Sequence, residues 1–409
     1  MSLARGLVFA AIAGTATCVP ARDPPLSTTS SASPSPATPA LALGASARLA
    51  GHEDSSPPSL IATETPRTPV ILVVLDGVRW QEVFEGADRS LTGGWPCDAR
   101  SLFPYLYAAL DARGAAIGAP GHGTISASGP NYVSLPGYTE IFGGKAPESC
   151  QDNACSGASG ATLVDAMRDR AARNEDVAVI ASWGPIARAA THSAGRIALS
   201  TGREHVTDER AFTTEPGLRE AMDRGAQAGP WPGHDTFRPD RYTADIALRY
   251  LAVHAPDFLF VGLGEPDEFA HTGDYLGYLG ALRAADTFFG QLFATLEGMG
   301  DRGRRTLVVV TADHGRGARD YRDHGRALPD SGRVWLMAIG GPVRARGFVD
   351  AIAPRHLADV APTLRDLAGL PPADPSPHSG LPMVELAKPA PAHAFQAQAM
   401  PSPDSVPVR

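Results

Sequence analysis

Five apolar runs, unbroken along their length, limit what this chain can fold into: PVILVVLD (69–76), DVAVIAS (176–182), DFLFVGLG (257–264), RTLVVVTAD (305–313) and RVWLMAIG (333–340). A strand with one wet face alternates apolar and polar residues, whereas an unbroken β-branched run is a strand covered on both faces. Segments of helical periodicity lie between the runs, at 160–174, 240–254, 274–298 and 355–369, the last closing on Gly369 and Pro371. This alternation predicts an α/β fold, a single large domain with a mostly parallel central sheet flanked by helices on both faces. In such sheets chemistry gathers at the carboxyl ends of the strands.

The ends of the chain read differently. In residues 1–21 the apolar run Leu7–Ala13 follows Arg5, as in an export signal, and Cys18 stands where a lipid-anchored cysteine would sit. Residues 22–66 are rich in Ser, Thr and Pro and read as a flexible tether, and 373–409 has the same Pro/Ala-rich, disordered character. The catalytic-sized core is then 67–372. An exported protein is expected, whether periplasmic, secreted or attached to a membrane through a lipid on Cys18. Cys150 and Cys155 are close enough for a small-loop disulfide in an oxidising compartment, with a Cys-x-x-x-x-Cys metal site as the rival. A net charge of −8 without a basic run makes a poor nucleic-acid platform. It leaves phosphate esters open as small-molecule substrates, because a bound cation can supply positive charge locally.

Candidate metal ligands cluster after these runs. Asp76 follows the first, Asp267 and His271 follow the third in GEPDEFAH, and Asp313 and His314 follow the fourth in VTADHG. His324, in YRDHG, precedes the fifth. Each has a plainer reading: Asp76 as a turn or N-cap residue, Asp267 and His271 as a solvent-facing i, i+4 pair. Two Asp-His-Gly tripeptides ten residues apart are harder to explain that way. Mixed carboxylate and imidazole donors suit Zn²⁺, with Mn²⁺ or a similar ion as the alternative. Six donors are too many for one tetrahedral ion and suit two divalent ions, which can clamp an in-line displacement. Ser134, just before Pro136 in GPNYVSLPGYTEIFGG, stands at a helix start where the dipole favours an anion. It is a candidate nucleophile, or simply an N-cap.

Together, in chain order, LDGVRW, SLPGYTEIFGG, EPDEFAH, TADHG, DHG and HLADVAPTLRDLAGL resemble the alkaline phosphatase superfamily. The nucleotide pyrophosphatase/phosphodiesterase branch is the nearest match. Its nucleophile segment, Thr-Phe-Pro-Asn-His-Tyr-Thr, aligns with SLPGYTE without a gap and puts Ser134 at the nucleophile. The resemblance implies one metal on Asp267, His271 and His324, and another on Asp76, Asp313 and His314. It also implies a phosphoryl-binding Asn, for which Asn153 is the candidate; a turn residue beside the disulfide is the alternative. Sulfatases of the superfamily carry Cys/Ser-x-Pro-x-Arg, and here Tyr138 replaces the Arg. With no evident cationic clamp for a dianion, although Arg188, Lys145 or Arg316 are within reach of the role, the implied activity is hydrolysis of phosphodiesters through a phospho-enzyme. Phosphomonoester or sulfate-ester hydrolysis is the alternative, and a non-catalytic surface protein a more distant one. Residues 200–240 fall between strands, where an insertion commonly shapes the substrate pocket in this superfamily. Trp231, His234 and Phe237 are its candidate lining residues, with packing as their plainer role.

Overall fold

The computed structural model describes residues 67–387, apart from 374 and 377. The export signal, Cys18, the 22–66 tether and residues 388–409 lie outside the described residues.

Nine strands form the main sheet: β1 (Val70–Leu75), β2 (Gly114–Ile117), β3 (Val177–Ala181), β4 (Ala198–Thr201), β5 (His205–Thr207), β6 (Phe258–Leu263), β7 (Leu307–Thr311), β8 (Leu336–Gly340) and β9 (Gly347–Phe348). Their spatial order is β9-β2-β8-β7-β1-β6-β3-β4-β5. β1 lies at the centre, parallel to both neighbours, with Val70 opposite Phe258 on one side and Leu307 on the other. Every residue of β1, β6 and β7 is buried, so both sheet faces are covered, as their unbroken apolar runs require.

Two groups of helices pack around the sheet. α1 (Ser134–Gly143) packs against α2 (Leu163–Arg170) and α6 (Val360–Leu367). α5 (Tyr275–Gly298) packs against α3 (Asp240–His254), α4 (Glu265–His271) and a further helix over Pro104–Arg113. α1 ends at Gly144, whose φ of +64° only glycine adopts freely.

Several expectations are revised. β8 runs antiparallel to both β7 and β2, and the run 333–340 is split, Arg333–Val334 pairing in a separate three-stranded sheet. A strand covered on both faces has the same composition in either direction, so orientation was hidden. The 355–369 helix begins only at Val360, after the short strand Arg355–His356. The segment 200–240, expected to fall between strands, holds the second strand of the β4–β5 hairpin and a helix over Pro216–Gln227. The tail set at 373–409 begins too early, because residues 378–387 pack onto the domain. Met383 and Leu386 are buried, and the Arg355 Nε donates to Glu385 Oε1 at 2.8 Å.

Candidate metal centre

All six predicted ligands meet at the carboxyl edge of the sheet. Asp76 directly follows β1, α4 follows β6 and carries Asp267 and His271, and Asp313 and His314 follow β7. The parallel register of these three adjacent strands brings the donors together. In Asp76, Asp313 and His314 the donor atoms lie within 4.8 Å of one another, as they do in Asp267, His314 and His324. His271 Nε2 joins the second group, 3.0 Å from His324 Nε2 and 3.2 Å from Asp267 Oδ2. His314 thus faces both clusters, 3.5 Å from Asp76 Oδ1 and 4.0 Å from Asp267 Oδ1, where the expected division placed it in one.

Neighbouring groups fix the orientation of the donors. His314 Nδ1 is held by the Gly315 carbonyl at 2.8 Å and His324 Nδ1 by the Tyr132 carbonyl at 2.7 Å, which leaves Nε2 of each facing the centre. Tyr138 donates to Asp76 Oδ2, and the Gly77 amide donates to Asp313 Oδ1. The other Asp313 oxygen, Oδ2, is buried without a hydrogen-bond partner. A buried carboxylate oxygen with nothing to accept from is costly unless a cation satisfies it. Burial, and then repulsion from neighbouring carboxylates, push Asp76 well above the usual carboxylate range; burial and Asp267 do the same to Asp313. Burial also holds the His314 imidazole neutral, the form that binds metal. The donor set fits divalent cations.

Arg316 is not a substrate clamp. Its buried guanidinium is spent on the carbonyls of Gly77, Asp267, Tyr321 and Arg322, and it pairs with Asp267 Oδ1. Against the opposing effect of burial, that pairing holds Asp267 well below the usual carboxylate range. Gly77 stands beside it at φ +62°, where a Cβ would fall 2.4 Å from Asp267 Oδ1.

Ser134 is the first residue of α1 and not its N-cap, a position that Val133 takes. Its Oγ points into the centre, 3.3 Å from both Asp76 Oδ1 and His314 Nε2. Asn153 sits in the loop closed by the Cys150–Cys155 disulfide, and its Oδ1 accepts from the Leu135 amide at 2.9 Å. One of the helix-start N–H groups expected to meet a phosphoryl oxygen is therefore taken by Asn153, whose own amide N–H groups remain as donors.

A pocket of about 260 Å³ opens over the ligands and Ser134, and Asn153, Trp183, His234, Phe237 and Glu268 complete its wall. His234 and Phe237 thus line it as expected. Trp231 does not; it stays two-thirds exposed with its ring against Phe269. Lys145 lines a different, smaller cavity. No lysine or arginine lines the metal pocket among the described residues.

Sequence reasoning missed Trp183, Glu268 and Asp240. The buried Asp240 carboxylate accepts from the amides of Gly264 and Glu265 at 2.8 and 2.9 Å and from Ser182 Oγ at 2.5 Å. It pins the turn that starts α4 and so sets the aim of Asp267 and His271. Its position just after Pro239 at a helix start was the available signal, but that reads only as a cap.

Comparison with known proteins agrees with this architecture. Residues 237–372, which carry five of the six ligands, match the Metalloenzyme superfamily. A 2,3-bisphosphoglycerate-independent phosphoglycerate mutase of Dinoroseobacter shibae is 32% identical over 164 residues, 36% of this chain and 30% of that protein. The chain therefore spans less than a third of that relative's length. Among solved structures, a 2-O GAG sulfatase superposes with a TM-score of 0.53 at 14% identity, covering 78% of this chain and 74% of that one. The phosphonate monoester hydrolase from Silicibacter pomeroyi gives 0.52 at 15% identity, covering 80% and 78%. At such identities the likeness is one of fold. Residues 237–372 thus match the Metalloenzyme superfamily, within a chain whose fold is shared with these two hydrolases.

Proposed function

We propose that this protein is an exported, two-metal phosphoric ester hydrolase that cleaves small-molecule phosphodiesters with Ser134 as nucleophile. The observation that carries the reading is the Ser134 hydroxyl, 3.3 Å from two of six convergent metal donors. Asp267, His271 and His324 would hold one divalent ion and Asp76, Asp313 and His314 the other, with zinc the best match to the donors and manganese the alternative. When bound, the ions supply Lewis-acid stabilisation of phosphoryl charge and acidify nearby hydroxyl groups.

In the first half-reaction Ser134 Oγ gives up its proton and forms a bond to phosphorus, while the bond to the leaving alkoxide breaks and that oxygen takes a proton. A phosphodiester-seryl enzyme results. Water then cleaves the Ser134 ester, restoring the hydroxyl and releasing a phosphomonoester. Asn153 would donate to a phosphoryl oxygen through its amide nitrogen, its carbonyl oxygen being committed to the Leu135 amide.

Two features favour a diester over a dianionic monoester or a sulfate. The pocket wall lacks Lys and Arg and includes the Glu268 carboxylate, which burial and the nearby Asp267 push up to about 7. The sulfatase-signature Arg position is Tyr138, whose hydroxyl is bonded to Asp76. The disulfide supports export to an oxidising compartment. The test is a rate panel on bis(4-nitrophenyl) phosphate, 4-nitrophenyl phosphate and 4-nitrophenyl sulfate with metal-replete protein. The diester should give the highest kcat/KM; a faster sulfate or monoester would replace this reading.

A further inference from the structure

The metal pocket is small for a diester carrying two organic arms. Its volume of about 260 Å³ falls below the ~300–1,000 Å³ typical of ligand pockets. A second, wider groove of about 590 Å³ adjoins it, lined among others by Gly184, Arg188, Glu204, His205, Val206 and Thr236. The two are joined through the chain itself: Trp183 and Phe237 line the metal pocket, and the next residues along, Gly184 and Thr236, line the groove. A third link is the hydrogen bond from Arg188 Nη2 to the Asn153 carbonyl at 2.9 Å.

Arg188 is the cation the groove offers. It is exposed, and its hydrogen bond runs to the Asn153 carbonyl rather than to a carboxylate. One guanidinium nitrogen is anchored to Asn153, which holds the planar fork at the junction while its other N–H groups stay available. A guanidinium fixed in this way suits a carboxylate or phosphate oxygen pair. Glu204, on the same wall, carries the opposite charge and tempers the attraction.

We infer that the groove is a specificity subsite for one ester arm of the substrate, and that Arg188 selects arms ending in an anionic group. This rests on the phosphodiesterase reading above. It deepens that reading by naming the substrate class: diesters with one arm bearing a carboxylate or a second phosphate.

The experiment uses 4-nitrophenyl alkyl phosphodiesters in matched pairs, the alkyl arm ending in a carboxylate or in its neutral methyl ester, over several arm lengths. Release of 4-nitrophenolate gives kcat/KM for each. At the length that reaches Arg188 the wild-type protein should favour the carboxylate arm about tenfold, the discrimination one charge-assisted contact provides. R188A should bring that ratio to about one, R188K should restore part of it, and E204Q should raise it. A wild-type ratio of one at every length, or a ratio that R188A leaves unchanged, overturns the assignment. If no diester is turned over, the phosphodiesterase reading fails by itself. The groove is then judged by calorimetric binding of the matching carboxyalkyl phosphates to wild-type and R188A protein, and equal affinity overturns the subsite.

Discussion

The floor of the metal centre and the rim around it are built in different ways. The floor is made by residues that directly follow parallel strands, as Asp76 follows β1 and Asp313 follows β7, and sheet register sets their separation. The rim is assembled from distant loops: Asn153 from the disulfide loop, Trp183 after β3, and His234 and Phe237 from the segment leading into α3. Asp76, Ser134, Asp267, Asp313 and His314 are buried, whereas His234 is about three-quarters exposed. On the proposed reading, chemistry resides in the rigid part and selectivity in the adjustable part. Substitutions in the floor should abolish turnover, and those in the rim should redistribute it among substrates.

The strongest test of that division is S134A. Removing the proposed nucleophile should lower kcat by at least about a thousandfold while metal content stays near that of the wild type, measured by turnover and metal analysis on one preparation. Retained turnover would move the chemistry out of the floor. Next in size is E385A, far from both regions. It leaves Asp359, at 3.7 Å, as the remaining carboxylate partner of buried Arg355 and should cost about 1–3 kcal/mol of unfolding free energy by urea titration, with kcat unchanged at a temperature where the variant is folded. A third variant, D240N, sharpens the boundary, because Asp240 supports the floor from the rim side. Weakening its hold on Gly264 and Glu265 should reduce metal affinity about 10–100-fold in a chelator competition, and a normal affinity would make Asp240 merely structural. The smallest effect belongs to H234A, an exposed rim residue, which should alter KM by a few-fold and leave kcat nearly unchanged.

The same contrast explains what the sequence revealed. Strands covered on both faces leave unbroken apolar runs, so a carboxylate or histidine at their ends is conspicuous; Asp76, Asp267, His271, Asp313 and His314 could be found this way. His324 was found only because its tripeptide repeats the Asp-His-Gly of the fourth strand. Rim residues carry no such mark. Trp183 and Asp240 look like ordinary strand-end and helix-start residues, and their roles arise from contacts between segments far apart in the chain. Arg316 shows the converse: a cation near the ligands looked available for substrate, yet backbone carbonyls surround it. The short strands Gly114–Ile117 and Ala198–Thr201 escaped notice because Ala, Gly and Ser dilute the β-branched signal. Proline-rich composition likewise concealed the packed segment that ends near Leu386, which is held by two buried apolar side chains and one ion pair.

On the proposed function, six donors and one hydroxyl surround a pair of cations. Anomalous diffraction from crystals of the metal-replete protein tests it most directly. Two peaks are expected, one bonded to Asp76, Asp313 and His314 and the other to Asp267, His271 and His324, with Ser134 Oγ facing them. A single ion, or ions bound elsewhere with these side chains turned away, would contradict it.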